Sequence, residues 1–449
     1  MRSPTGLAIF TLSASCAIAL KRAGQFTLGA FVELGGVLRQ YLRIDRTILT
    51  ILVVFIALMA ASSTRQLESP QLLAAFVDDE PWLSLALEGM LEKPYGNPSN
   101  YLDPAAPAHA HIPEHWGYLR YDGTIYYGGA YFEVAFPFYA ALRAVGFPAF
   151  PTSTIILRLT TALASAFSLL FLYNIGVQHG TRLGAVLAVL FLFVDNYFER
   201  FSVMAHPDTL QMFFGLLALG MAIRHSERGD LNSLFALGLA CGFTQGTKVG
   251  GAWTVPMALL ALWWGLTEVR RVRAVEIIKR LALLGLAALG GWIITTPYAF
   301  VDPYYFRTML GQWSWQGATA AADGPFGRIT MGLWAKYIVE YFGPPAMALF
   351  VVASLRIVWL WVRGRVNRPF TLAVVVCLSQ FLFYGTGKGW IEVYYLLLAT
   401  GLGILLSFDM LAAAVSYVQR LLGRFSGFAI ASWLPKAALI CAFLILFIP

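Results

Sequence analysis

Asp78, Asp79 and Glu80 are three consecutive carboxylates placed just beyond the apolar run Thr47 to Thr64. Adjacent carboxylates repel one another, so an ordered position requires hydration, hydrogen bonds or a paired cation for each. One carboxylate held within reach of a hydroxyl or amine can serve as a general base. Cations at the same surface would then hold an anionic partner. Arg158, Lys248 and Lys388 are the candidates, Arg as a planar fork matching phosphate oxygens and Lys as a mobile point charge. Each has an alternative as a side chain that snorkels to headgroups. Asp208 opens a predicted helix, where a carboxylate caps free N–H groups or acts as a second acid, with His206 two residues earlier. His109, His111 and His115 form an H-x-H-x-x-x-H cluster that could hold Zn²⁺ or another divalent ion. Pro107 and Pro113 make that segment irregular, and exposed loop histidines are the default reading.

The elements that must position these groups are set by composition. Over 449 residues, 58% are hydrophobic and only 12% charged, with a mean hydropathy of +0.67. These values exclude an ordinary soluble globule and indicate a polytopic membrane protein. The net charge of +8 fits basic residues on the cytoplasmic side and needs no nucleic-acid partner. Cys16, Cys241, Cys377 and Cys441 lie apart in apolar segments, without metal-ligand spacing, which argues against a disulfide framework.

Apolar stretches long enough to cross roughly 30 Å of hydrocarbon recur along the chain. About eleven spans are expected, beginning near Thr47, Thr154, Leu183, Pro207, Leu231, Gly251, Leu281, Pro344, Pro369, Ile391 and Trp433. Tyr131 to Phe147 carries Glu133, Pro137 and Arg143 and is assigned to the membrane surface. With that segment flat, the basic breaks at Arg182, Arg224/Arg228, Arg270 to Arg280, Arg363 to Arg368 and Arg420/Arg424 all face the cytoplasm. Residues 1–46 read as an N-terminal cytoplasmic or interfacial segment, dispensable or holding an extra span. Residues 47–408 form a transmembrane catalytic domain with outer loops 65–153 and 301–343. Residues 409–449 form a cytoplasmic linker and last span. This orientation collects the three acids, Arg158, the Asp195 to Asp208 turn, Lys248 and Lys388 on the outer face. Tyr304, Tyr305, Trp313 and Trp315 in the second loop suit an interfacial belt, or stacking on a sugar ring.

Several segments in this order resemble the integral-membrane glycosyltransferases of the GT-C superfamily, most closely family 39. That branch contains the protein O-mannosyltransferases and the lipid A aminoarabinose transferase. Asp79-Glu80 is similar to the acidic pair after the first span. Asp122 to Leu142, DGTIYYGGAYFEVAFPFYAAL, resembles the surface helix of the first loop. Arg158 opens the next span, and Glu199 to Leu219 is similar to the Arg and Asp turn before a Phe-rich helix. Gly246 to Pro256 and Gly387 to Gly401 resemble the two Lys-containing turns. The chain departs from the pattern where Val77-Asp78 stands in place of a Pro before the acidic pair. It departs again where His206-Pro207-Asp208 replaces Arg-x-x-Asp, leaving Arg200 further upstream.

The resemblance implies an all-α, GT-C fold enzyme with an interfacial helix in its first outer loop. It would move a monosaccharide from a polyprenyl-phosphate donor to a protein, lipid or polysaccharide acceptor by inverting, single-displacement transfer. In that chemistry Asp79 is the base, Glu80 or Asp78 orients it or holds a metal, and Asp208 shares the site. Arg158, Lys248 and Lys388 contact the donor phosphate, and the active site faces away from the cytoplasm in the plasma (inner) membrane. A lipid-linked glycan ligase or polymerase is the nearest alternative. A transporter or flippase would instead place charges near the midplane of its spans.

Overall fold

The computed structural model describes residues 27–63, 80–92, 129–248, 250–268, 273–297, 339, 343–387 and 396–425. Among them the regular elements are helical, as the composition requires. In order they are α1 (Thr27–Tyr41), α2 (Arg46–Ser63), α3 (Glu80–Glu92), α4 (Ala130–Ala144), α5 (Ala149–His179), α6 (Arg182–Val194) and α7 (Asn196–Val203). They continue with α8 (Asp208–Arg228), α9 (Leu231–Thr247), a 3₁₀ turn (Gly251–Thr254), α10 (Val255–Thr267), α11 (Ala274–Thr295), α12 (Pro344–Val362), α13 (Arg368–Gly387) and α14 (Leu397–Phe425).

Three of these helices, α5, α11 and α14, are long and apolar enough to cross a bilayer alone. The count becomes four if α1 and α2, bent by 95° at their junction, are one broken span. The expected count of eleven is therefore not reached among the described residues, for a local reason. The stretch beginning at Leu183 yields only the 13 residues of α6. Asp195 ends it and caps the next helix, accepting from the Phe198 N–H at 2.7 Å. The stretch beginning at Gly251 spends its first turn in a 3₁₀ segment and leaves 13 residues for α10. The stretch beginning at Trp433 lies outside the described residues. The expected domain boundary at 408 falls within α14, which runs without a break across it.

The core lies where α5, α8, α9 and α14 meet, through Leu169, Leu172, Leu216, Leu234 and Leu402, all buried. The outer surface is apolar as well, with Leu286, Leu355, Phe138 and Trp263 each more than 60% exposed. Such a surface suits hydrocarbon, where helices satisfy their own backbone groups. The chain is an integral membrane protein.

α5 and α8 run side by side in the same direction, because Thr209 at the start of α8 is hydrogen-bonded to Thr161 and Gly220 further along α8 packs beside Phe171 further along α5. The surface segment expected at Tyr131 to Phe147 is α4, whose buried side, Tyr131, Phe132, Ala135 and Tyr139, packs against α3 and α5. These helices meet at the N-terminal end of α5. That end holds the candidate site.

Candidate active site

Glu80 is the first residue of α3, where a carboxylate is favoured by the free N–H groups and the helix dipole. Its side chain is wholly buried, and isolation there would be prohibitive. Arg158 answers it from the second turn of the regular part of α5. Arg158 Nε donates to Oε1 at 2.9 Å and Nη2 donates to Oε2 at 2.6 Å, a two-point fork. The backbone N–H of Ala205 also donates to Oε1. One carboxylate thus joins α3, α5 and the connection between α7 and α8.

A second ion pair lies three residues beyond Ala205. Asp208, the first residue of α8, accepts from Lys248 Nζ at 2.9 Å through Oδ1 and at 3.0 Å through Oδ2. His206 Nδ1 lies against Oδ2 of the same carboxylate. Both partners of the Asp208–Lys248 pair are almost fully buried. Lys248 follows the last residue of α9 with an extended backbone, φ −151° and ψ 133°, which ends the helix. The chain then turns at Gly250, whose φ of 128° favours glycine over residues with a Cβ. Gly246 is required for a different reason, since a Cβ there would stand 1.8 Å from the Thr295 hydroxyl.

Thr161 ties the two pairs together. It lies one turn after Arg158 on the same face of α5. Its hydroxyl contacts the His206 carbonyl at 3.2 Å, the His206 N–H at 3.3 Å and the Tyr131 hydroxyl at 2.7 Å. The four residues Ala205 to Asp208 therefore contact Glu80, Thr161 and Lys248 in succession. The Thr296 hydroxyl braces the same end, accepting from the Gly129 N–H and donating to the Gly246 carbonyl, both at 3.0 Å.

Of the residues singled out from the sequence, Glu80, Arg158, His206, Asp208 and Lys248 are brought to one end of the bundle. Asp78, Asp79, Lys388, His109, His111 and His115 lie outside the described residues. Arg158, expected at a donor phosphate, turns two of its donors to Glu80. Arg200, the upstream basic residue of the Asp208 turn, is exposed on α7. Among the described residues, no three His, Cys, Asp or Glu side chains gather as a metal site. The sequence reading missed Thr161, Tyr131 and Gln211. Thr161 and Gln211 each lie three residues after a residue it did select, Arg158 and Asp208, so helical spacing was the available signal.

Residues 91–301, 211 of the 449, match the family model described as dolichyl-phosphate-mannose-protein mannosyltransferase. The chain is similar to the GT-C glycosyltransferases. The match includes Arg158, His206, Asp208 and Lys248, and begins after Asp78 to Glu80. Two solved structures align with the chain. The crystal structure of ArnT from Cupriavidus metallidurans bound to undecaprenyl phosphate does so at 13% identity and a TM-score of 0.48, over 88% of this chain and 71% of that one. The apo oligosaccharyltransferase of Archaeoglobus fulgidus does so at 12% identity and a TM-score of 0.47, over 88% of this chain and 54% of that one. The chain thus spans about half the length of the latter. No curated protein sequence matches it.

Proposed function

We propose that this membrane glycosyltransferase moves a monosaccharide from a polyprenyl-phosphate donor to an acceptor on the extracytoplasmic side, with Asp79 as general base. The observation that carries this reading is the anchoring of Glu80, the residue that follows Asp79, by the Arg158 fork and the Ala205 N–H. A base must be held still to act at hydrogen-bond distance, and Glu80 supplies a fixed point next in the chain. The Asp208–Lys248 pair supports the reading by placing a cation with a neighbouring acid at the same end. The matched family, named for a dolichyl-phosphate-linked sugar, supports a lipid-phosphate donor.

The transfer is a single displacement. Asp79 accepts the acceptor's O–H or N–H proton as that oxygen or nitrogen bonds to the anomeric carbon. The bond from that carbon to the phosphate oxygen breaks, and its electron pair leaves with the polyprenyl phosphate. Cations facing the phosphate stabilise the developing charge. Lys248, oriented by Asp208, and Lys388 are assigned this role, with Arg158 steadying the acidic pair through Glu80. The basic helix ends opposite the site, at Arg182, Arg224 and Arg228, support a cytoplasmic assignment for that side.

The test is sugar transfer by purified protein offered a panel of radiolabelled polyprenyl-phosphate monosaccharides, with host membrane extract as acceptor. Asp79→Asn at equal folded yield is expected to lose about 10²–10⁴-fold in rate while retaining donor binding. Transfer at the wild-type rate by Asp79→Asn would remove the base assignment. A wild-type protein that neither binds nor transfers any donor would remove the transferase reading.

A further inference from the structure

We infer that Gln211 is a positioning residue for Lys248, acting through the Lys248 backbone; this rests on the transferase reading of the Asp208–Lys248 pair. Gln211 lies on α8 three residues after Asp208, so the two side chains leave the helix on one face. Its Nε2 donates to the Lys248 carbonyl at 3.2 Å and to the Thr244 carbonyl at 3.5 Å. Lys248 is therefore attached to α8 at two points about one turn apart, its ammonium at Asp208 and its carbonyl at Gln211. The four-carbon stem is thereby tied to α8 near both of its ends. Two points fix where the stem starts as well as where it ends.

A plain capping role for α9 is the competing account, because the last four carbonyls of a helix lack internal partners and Thr244 is among them. The distances favour the positioning role. The shorter contact goes to Lys248, which lies past the helix end, and the contact to Thr244 is at the outer limit of a hydrogen bond. Gln211 is also buried, so water does not readily replace the lost donor. The Lys248 backbone is extended, and Gly250 follows two residues later at positive φ.

The experiment has two independent readouts on wild type, Gln211→Leu and the volume-conserving Gln211→Met. The first is the rate of Lys248 acetylation by pulsed acetic anhydride, read by peptide mass spectrometry and expected to rise at least about threefold. The second is a double-mutant cycle on transfer with Lys248→Met. The Gln211 substitution is expected to lower kcat/KM by roughly five- to tenfold in the wild-type background and by less than about twofold when Lys248 is already Met. An unchanged acetylation rate in both variants, or equal losses in both backgrounds, would overturn the inference and leave Gln211 as a helix cap. Should wild type transfer no sugar, the transferase reading fails and the acetylation rate alone decides whether Gln211 positions Lys248.

Discussion

The two ends of the helical bundle both carry ion pairs, yet they are built on opposite terms. At the site end the Glu80–Arg158 and Asp208–Lys248 side chains are at most 5% exposed. At the other end, about 24 Å away along α5 and α8 at 1.5 Å per residue, the pairs are open. Asp45 meets Arg182 at 3.1 Å with the side chains 40% and 62% exposed. Glu33 bridges Arg224 and Arg228 across a partly exposed surface. Exposed pairs contribute about 0–1 kcal/mol and persist at little cost. Buried pairs demand desolvation of both charges, and apolar replacements are often equally stable. Under the proposed function, the chemical task at the site end accounts for charges buried in this way.

The sharpest way to break this comparison is Arg158→Leu. It strands a buried carboxylate and is expected to destabilise the protein by about 3–5 kcal/mol, measured by denaturant unfolding in detergent. Adding Glu80→Leu should recover most of that stability while transfer stays lost. Recovered transfer in the double variant would mean the pair is only structural. A smaller effect is expected at the open end. Arg182→Ala should cost at most about 1 kcal/mol, fade further in high salt and leave the transfer rate intact.

The smallest effect is a pH dependence. The Asp45 carboxyl is held below its ordinary range, first by the Tyr173 hydroxyl at 2.6 Å and then by the Ile48 and Thr47 N–H groups and Arg182. A depressed folded-state value means stability that is complete above the unfolded value, near 3.9, and lost as pH falls through the folded value. Unfolding curves of wild type and Asp45→Asn should therefore converge below about pH 4 and separate above it. Curves that stay parallel throughout would show that Asp45 contributes nothing through its charge.

How much of this was legible in the sequence differs between fold and site. The run Thr47 to Thr64 became α2, Arg46–Ser63, because apolar length is a local property that needs no partner. The helix expected near Pro207 and the turn at Lys248 also appeared, since Asp208 marks the helix start. What could not be read was pairing across distance. Arg158 was matched to a phosphate, whereas the structure gives it Glu80, 78 residues earlier in the chain. Nothing in the local pattern near Arg158 specifies that partner. The role of Ala205 was equally hidden, because a backbone N–H looks the same at every residue. The stretch beginning at Leu183 yields a short helix for a related reason, since a single cap such as Asp195 divides an apolar run that composition reads as continuous.

The 95° turn between α1 and α2 has a consequence for how the chain is made. Glu33 on α1 finds its arginine at Arg224, 191 residues later. At about 5–20 residues per second, roughly 10–40 s of synthesis separates the two. During that interval α1 lacks the part of its final surface that α8 supplies, and Leu28, Phe31 and Val32, still exposed in the finished protein, face whatever is nearby. A lipid interface is the natural shelter for such a helix. The first described segment of the chain can thus meet α5 first, through Tyr41 and His179, and gains its ion pairs only once α8 has been made.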